Sequence, residues 1–185
     1  MLLVCCYNIT MLSKPEQNVA QLGLREGMRV ADLGAGTGAY SIAAGARVGY
    51  TGHVYAVEVQ KNLIKKLESE IKESNVLNVE CIWGDIEKKG GTKIADNSMD
   101  AVIIANVLFL SEDKLGLIDE AYRILKSGGK ALFIDWLSTD NNIGPLSKHV
   151  IDIDVAINLF TKRGFKLLEK ITTSEHHYGI IFIHE

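Results

Sequence analysis

The chain has 185 residues, 47% hydrophobic and 23% charged, with a net charge of −3; this mix excludes a disordered chain, and the length fits one domain with a sizeable core. The slight acidity offers no general attraction to nucleic acid or to an anionic membrane, and no apolar run approaches the roughly 18 residues of a membrane span. Cys5, Cys6 and Cys81 make neither a disulfide framework nor a zinc spacing, so a reducing cytoplasm and no metal are expected.

The apolar start at 1–6 is too short for a signal peptide core and has no basic residues before it. Residues 15–22 read as a short helix, with Ser13 as its cap and Pro15 in its first turn. Gly23 and Gly27 punctuate, and residues 28–33 supply the first strand. A glycine turn, Gly34, Gly36 and Gly38, feeds a helix over 39–48, which Gly49 and Gly52 end. A second strand spans 53–59. The helix that follows, 62–74, sets Leu63, Ile64, Leu67 and Ile71 on one face. A third strand covers 79–83, and the near-continuous apolar run at 100–105 suits a strand buried on both faces. Residues 112–125 read as a helix closed by Ser127-Gly128-Gly129, with a fifth strand at 130–136. Residues 137–148 are polar and irregular, 150–163 are helical, and strands at 165–171 and 178–184 are close enough for a hairpin.

Strand–helix alternation argues for a parallel sheet with helices on both faces, and the closing hairpin requires one antiparallel strand. The expected fold is a doubly wound α/β sheet whose ligand lies outside the C-terminal strand ends. Polar residues gather at those ends: Asp32 and the glycines after the first strand, Glu58 at the second, Asp85 after the third, Asn106 after the fourth and Asp135 near the end of the fifth. Glycine at alternate positions lets the backbone turn tightly and approach a ligand, and the helix that follows presents unpaired N–H groups. Asp32 would repel a pyrophosphate but suits an ammonium group. Glu58 can accept both hydroxyls of a ribose, and Asp85 an exocyclic amine. Taken singly, Glu58 reads equally as an ordinary strand-end acid and Asp85 as a turn residue.

The stretches VADLGAGTG at 30–38, VYAVEV at 54–59, WGD at 83–85, DAVIIANVLF at 100–109 and LKSGGKALFIDW at 125–136, with their spacing, resemble the class I S-adenosylmethionine-dependent methyltransferases. The resemblance implies a Rossmann-like sheet of seven strands in the order 3-2-1-4-5-7-6. It implies one domain over 1–185: an N-terminal segment with a short helix (1–27), a cofactor-binding core (28–137), and a C-terminal helix and hairpin (138–185). It further implies that Asp32, Gly34, Ala35, Gly36 and Gly38 surround the methionine moiety and ribose of S-adenosylmethionine. Glu58 would bind the ribose hydroxyls, Val59 and Ile86 would meet the adenine, Asp85 would accept its amine, and Asn106 would lie beside the methionine portion. The C-terminal segment is similar to the small-molecule branch related to ubiquinone and menaquinone biosynthesis. Asn106-Val107-Leu108-Phe109 departs from the Asn/Asp-Pro-Pro-Tyr/Phe signature of amino-methyltransferases, which weakens the case for nucleic-acid bases as acceptors.

A small-molecule acceptor is therefore expected, methylated by in-line displacement, with S-adenosylhomocysteine as the product. The segment before the first strand leaves little material for a lid, so the acceptor site is either open or closed by a second copy or a partner subunit. A base is needed only where the acceptor atom must lose a proton; the candidates are His149, Asp135, His176, His177 and Tyr7. Trp136 reads either as a wall of the acceptor pocket or as core. Two rival functions are a non-catalytic S-adenosylmethionine-binding module and a nicotinamide-dependent dehydrogenase. The dehydrogenase would want Gly-x-Gly-x-x-Gly, and here the third glycine comes one place early.

Overall fold

The apolar runs and glycine-broken helices fold into one sheet with helices on each face. The structure is a computed structural model that describes residues 13–137 and 144–185. Strands β1 (Arg29–Leu33), β2 (His53–Glu58), β3 (Val79–Trp83), β4 (Met99–Ala105) and β5 (Leu125–Trp136) pair in parallel. Strands β6 (Phe165–Ile171) and β7 (His177–His184) complete the sheet, with β7 antiparallel to both β5 and β6. The order is β3-β2-β1-β4-β5-β7-β6, as the resemblance implies.

Among the described residues, five helices flank the sheet: α1 (Pro15–Leu22), α2 (Ala39–Val48), α3 (Lys61–Ser74), α4 (Lys114–Ile124) and α5 (Ile153–Thr161). Strand side chains alternate between faces, so two main cores form. Val30, Val54, Ile103, Leu132 and Ile134 pack with Leu22, Tyr40 and Val48 under α1 and α2. Leu33, Val102, Ile104 and Phe133 pack with Leu117, Ile118 and Phe160 under α4 and α5. On α3, Leu67 and Ile71 cover Ala56. The order reverses beside β1, which opens a crevice at the C-terminal ends of β1 and β4. Among the described residues no helix is long and apolar enough to cross a membrane.

Several local expectations are corrected. Ser13 is not the cap of α1; Lys14 holds that position at φ 50° and makes no side-chain cap bond. Ser13 is buried, and its carbonyl accepts from Asn18 Nδ2 and the Tyr40 hydroxyl, which ties α1 to α2. Helix α4 begins at Lys114, not 112, because the Asp113 carboxylate accepts the Gly116 N–H at 2.9 Å and sets the cap. Ser127-Gly128-Gly129 does not close that helix. The chain passes from Ile124 directly into β5, whose pairing jumps from Met99↔Leu125 to Ala101↔Lys130. The intervening residues loop out, with Gly128 at φ 78°. Helix α5 starts at Ile153, capped by Asp152, because Ser147–His149 forms a separate 3₁₀ turn. Strand β2 stops at Glu58, which leaves Val59 outside the sheet.

Candidate functional site

The glycine turn is built by close backbone approach. Gly34 N and Ala35 N both donate to Val57 O, at 2.9 and 3.0 Å, so the turn is fastened to the end of β2. Gly34 has φ 81°, and a Cβ there would lie 2.6 Å from Val107 Cγ2; only glycine fits between β1 and the segment after β4. Gly36, at φ 57°, has its missing Cβ directed into open space, with Gly34 O at 4.0 Å as the nearest atom. Gly38 begins α2 and packs against Leu67 of α3.

Asp32, the residue before the last of β1, is almost fully buried, and its Oδ2 accepts from Ser41 Oγ at 2.6 Å on the first turn of α2. Burial pushes its carboxyl up to about 7; the Ser41 bonds pull it down and the nearby Glu58 charge pushes it up further. Glu58 is also buried, with Oε2 accepting Gly36 N–H at 3.0 Å and Oε1 accepting Gln60 N–H at 2.8 Å. Both oxygens retain a second lone pair.

Of the residues predicted to bind cofactor, Asp32, Gly34, Ala35, Gly36 and Asn106 line one cleft of about 110 Å³, together with Ser13, Tyr40, Phe109 and Leu110. Asn106 stands at φ 56°, held by its N–H to Ile134 O at 2.9 Å, and its Oδ1 is buried without a hydrogen-bond partner. Gly38, Glu58, Val59, Asp85 and Ile86 do not line this cleft. Val59 is half exposed beside the equally exposed Trp83, whose Nε1 donates to Val59 O at 2.9 Å. Ile86 is buried in the α4/α5-side core. The Asp85 carboxylate accepts from Glu87 N at 3.1 Å and pairs with Lys88 at 2.9 Å. These Lys88 and Glu87 contacts outweigh the small burial cost and hold its carboxyl below the usual range.

The candidate bases lie elsewhere. Tyr7 falls outside the described residues. His149 is exposed on its 3₁₀ turn, and His176 sits beside Glu175 at 3.4 Å. His177 is buried with its ring against Trp136, centroids 4.3 Å apart, and burial pushes its pKa down to about 4. Trp136 is fully enclosed and packs as core. Asp135 is buried, accepts Trp136 N–H at 2.8 Å, and has its carboxyl pushed up to about 7 by burial. None of the described candidates lines the cleft. Sequence reasoning did not single out Tyr40, Ser41, Phe109 or Leu110, because nothing in their spacing marks which side chains turn toward the crevice.

A first strand with an acid near its end, a glycine turn and a helix N-terminus at the switch point of this sheet order define the class I methyltransferase fold. The family model described as "Methyltransferase domain" matches residues 24–178, and the chain belongs to that family. It is 34% identical over 113 residues to an arsenite methyltransferase of Halobacterium salinarum, which covers 61% of this chain and 28% of that protein. It is 29% identical over 120 residues to a demethylmenaquinone methyltransferase of a Geobacillus strain, which covers 65% of this chain and 50% of that one. The chain thus spans half or less of the length of these curated relatives. A crystal structure of an S-adenosylmethionine-dependent methyltransferase from Aquifex aeolicus has the same fold, with a TM-score of 0.85 at 24% identity over 94% of this chain and 91% of that one.

Proposed function

We propose that the chain binds S-adenosylmethionine across this crevice and transfers its methyl group to a small organic acceptor. The observation that carries the reading is the Gly36–Glu58 hydrogen bond, which sets a buried carboxylate beside a backbone position open to the cleft. The residues suit the group. A Cβ at Gly36 would enter the space the cofactor needs, and Asn106, whose Oδ1 is buried without a partner, lines the same cleft. Two acids match its cationic and hydroxyl-bearing ends. Asp32 would hold the ammonium of the methionine portion, Glu58 the ribose hydroxyls, and Val59 with the backbone of Ile86 the adenine, since the Ile86 side chain is buried in the core. Asp85 would take the adenine amine in exchange for its contact with Lys88.

When bound, the cofactor supplies a methyl group already activated by its sulfonium. The task left to the chain is alignment and exclusion of water. Phe109 and Leu110 give the cleft an apolar side next to Asn106, where an acceptor would be held against the methyl. None of the described candidate bases lines the cleft, so a proton released by the acceptor on methylation would pass to water or to a group outside this lining.

Between the acceptors in the relatives' names, the cleft favours an apolar organic molecule over arsenite. Arsenic(III) is a soft centre suited to thiolates. Cys81, the cysteine among the described residues, lies on β3 packed against Leu67 and Ile71, with burial pushing its thiol up to about 11. Cys5 and Cys6 lie outside the described residues. The test is production of S-adenosylhomocysteine with a panel containing reduced naphthoquinones and arsenite. Turnover with the aromatic acceptors is expected. Turnover with arsenite alone would reverse the acceptor choice, and binding without turnover on any acceptor would favour a non-catalytic module.

A further inference from the structure

The connection between β3 and β4 carries Asp85 and Ile86 but contains no helix or strand of its own. It folds back on itself: Asp85 N donates to Gly91 O at 3.1 Å, and Gly91 N donates to Lys88 O at 2.8 Å. A Cβ on Gly91 would fall 2.1 Å from Asp85 O, so the two limbs meet backbone to backbone. Lys93 N also donates to Gly90 O at 3.1 Å, and the folded loop rests on the scaffold behind it.

One side chain of α4 forms part of that scaffold, and the loop is also tied by its own Glu87, which accepts from Glu112 N and Asp113 N at the start of that helix. Glu120 is 1% exposed and directs its carboxylate into the loop. Its oxygens accept from Gly90 N at 2.8 Å, Thr92 N at 3.2 Å and Thr92 Oγ1 at 2.6 Å. Arg123 supplies the counter-charge, with Nε and Nη2 each at 2.7 Å. Burial alone would raise the Glu120 carboxyl, but the bonds from Arg123, Thr92 and the two amides outweigh it and hold the group ionised. The clamp closes on the residues either side of Gly91, whose carbonyl receives the Asp85 N–H.

We propose that Glu120 is a positioning residue for purine recognition: by fixing residues 90–92 it sets, through the Asp85–Gly91 hydrogen bond, where the Asp85 carboxylate stands. The inference rests on the cofactor site proposed above and adds to it a residue that touches no ligand. A buried ion pair serving only to anchor α4 would explain the burial equally well. It would not explain why three of the five donors come from the loop beside Asp85.

The two roles separate in ligand discrimination. S-adenosylhomocysteine and S-inosylhomocysteine, whose purine carries a carbonyl in place of the amine, are titrated into the wild-type chain, Glu120→Gln and Thr92→Val. The wild-type chain should prefer the adenine ligand by roughly tenfold or more, because the inosine ligand leaves Asp85 facing an acceptor. Glu120→Gln should lose about tenfold in affinity for the adenine ligand and little for the inosine one, so the preference collapses. Thr92→Val, which removes the hydroxyl that donates to Glu120 and accepts from Ile94 N and Arg123 Nη2, should shift the ratio in the same direction by less; it carries the test if Glu120→Gln does not fold. Equal losses for both ligands, or a lower melting temperature with the preference intact, overturn the inference alone. A wild-type chain that binds neither ligand overturns the cofactor reading and this inference with it.

Discussion

The main-chain N–H of Gly36 donates to Oε2 of Glu58 at 3.0 Å, so the turn after β1 and the acid that ends β2 form one hydrogen-bonded unit. With Gln60 N–H on the other oxygen, the carboxylate is held in one orientation, and a diol can add to it without ordering the side chain first. Glu58→Ala should weaken S-adenosylhomocysteine binding by about 1–3 kcal/mol, the range for charged hydrogen bonds. Calorimetry on the two chains measures this directly, and an unchanged dissociation constant would remove Glu58 from the site.

Asp32 makes binding depend on pH. Its carboxyl sits at about 7, and a ligand ammonium favours the ionised form, so binding below that pH must release a proton. Affinity should therefore rise between about pH 5.5 and 7, with a slope approaching tenfold per unit, and level off above. Asp32→Asn should bind more weakly and with a flat profile. A pH-independent affinity in the wild-type chain would argue against Asp32 as the ammonium partner.

Asp135 acts on stability instead. Its folded carboxyl is also near 7, against about 3.9 in an unfolded chain. Between those values the folded state keeps a proton that the unfolded state has lost, so stability falls as pH rises through the window and is flat above it. Asp32 has the same sign and window. His177, pushed down to about 4, opposes them: its contribution grows as pH rises from about 4 to about 6.5. Comparing Asp135→Asn with the wild type cancels the other two. The variant should lose less stability between pH 5 and 7 in denaturant titrations, and an identical slope would show that Asp135 does not titrate there.

Gly34 tests the packing of the turn. With a Cβ position 2.6 Å from Val107 Cγ2 at φ 81°, Gly34→Ala should cost about 1–3 kcal/mol of stability by overpacking. It should also displace the segment that carries Asn106. Chemical denaturation measures the first effect and ligand titration the second; a variant as stable as the wild type would show that Val107 yields freely.

Much of this was legible in the sequence because the signals are local. The first strand with Asp32 near its end, the glycine turn and the helix at 39–48 follow one another, and the apolar strands show which segments lie inside the sheet. The errors arise where distant residues decide. Ser13 reads as a cap, but its carbonyl is taken by Asn18 and Tyr40 across the α1–α2 contact. Ser127-Gly128-Gly129 reads as a helix stop, yet Leu125 already pairs with Met99 and the glycines loop out of a strand. Glu120 gave one unused signal, an acid on the apolar stripe of Leu117, Ala121 and Ile124. Its partners at 90–92 could not be found from spacing, because the loop they fold has no periodic pattern.

The central claim, that S-adenosylmethionine lies across the glycine turn, is tested most directly by calorimetric titration of S-adenosylhomocysteine into the wild-type chain and Gly36→Val. The valine enters open cleft rather than core, so circular dichroism should show an intact fold despite about 1–2 kcal/mol of left-handed strain. Saturable one-to-one binding to the wild type that disappears in Gly36→Val is the expected result. Equal affinity in the two chains, or tight binding of NAD with none of S-adenosylhomocysteine, would contradict it.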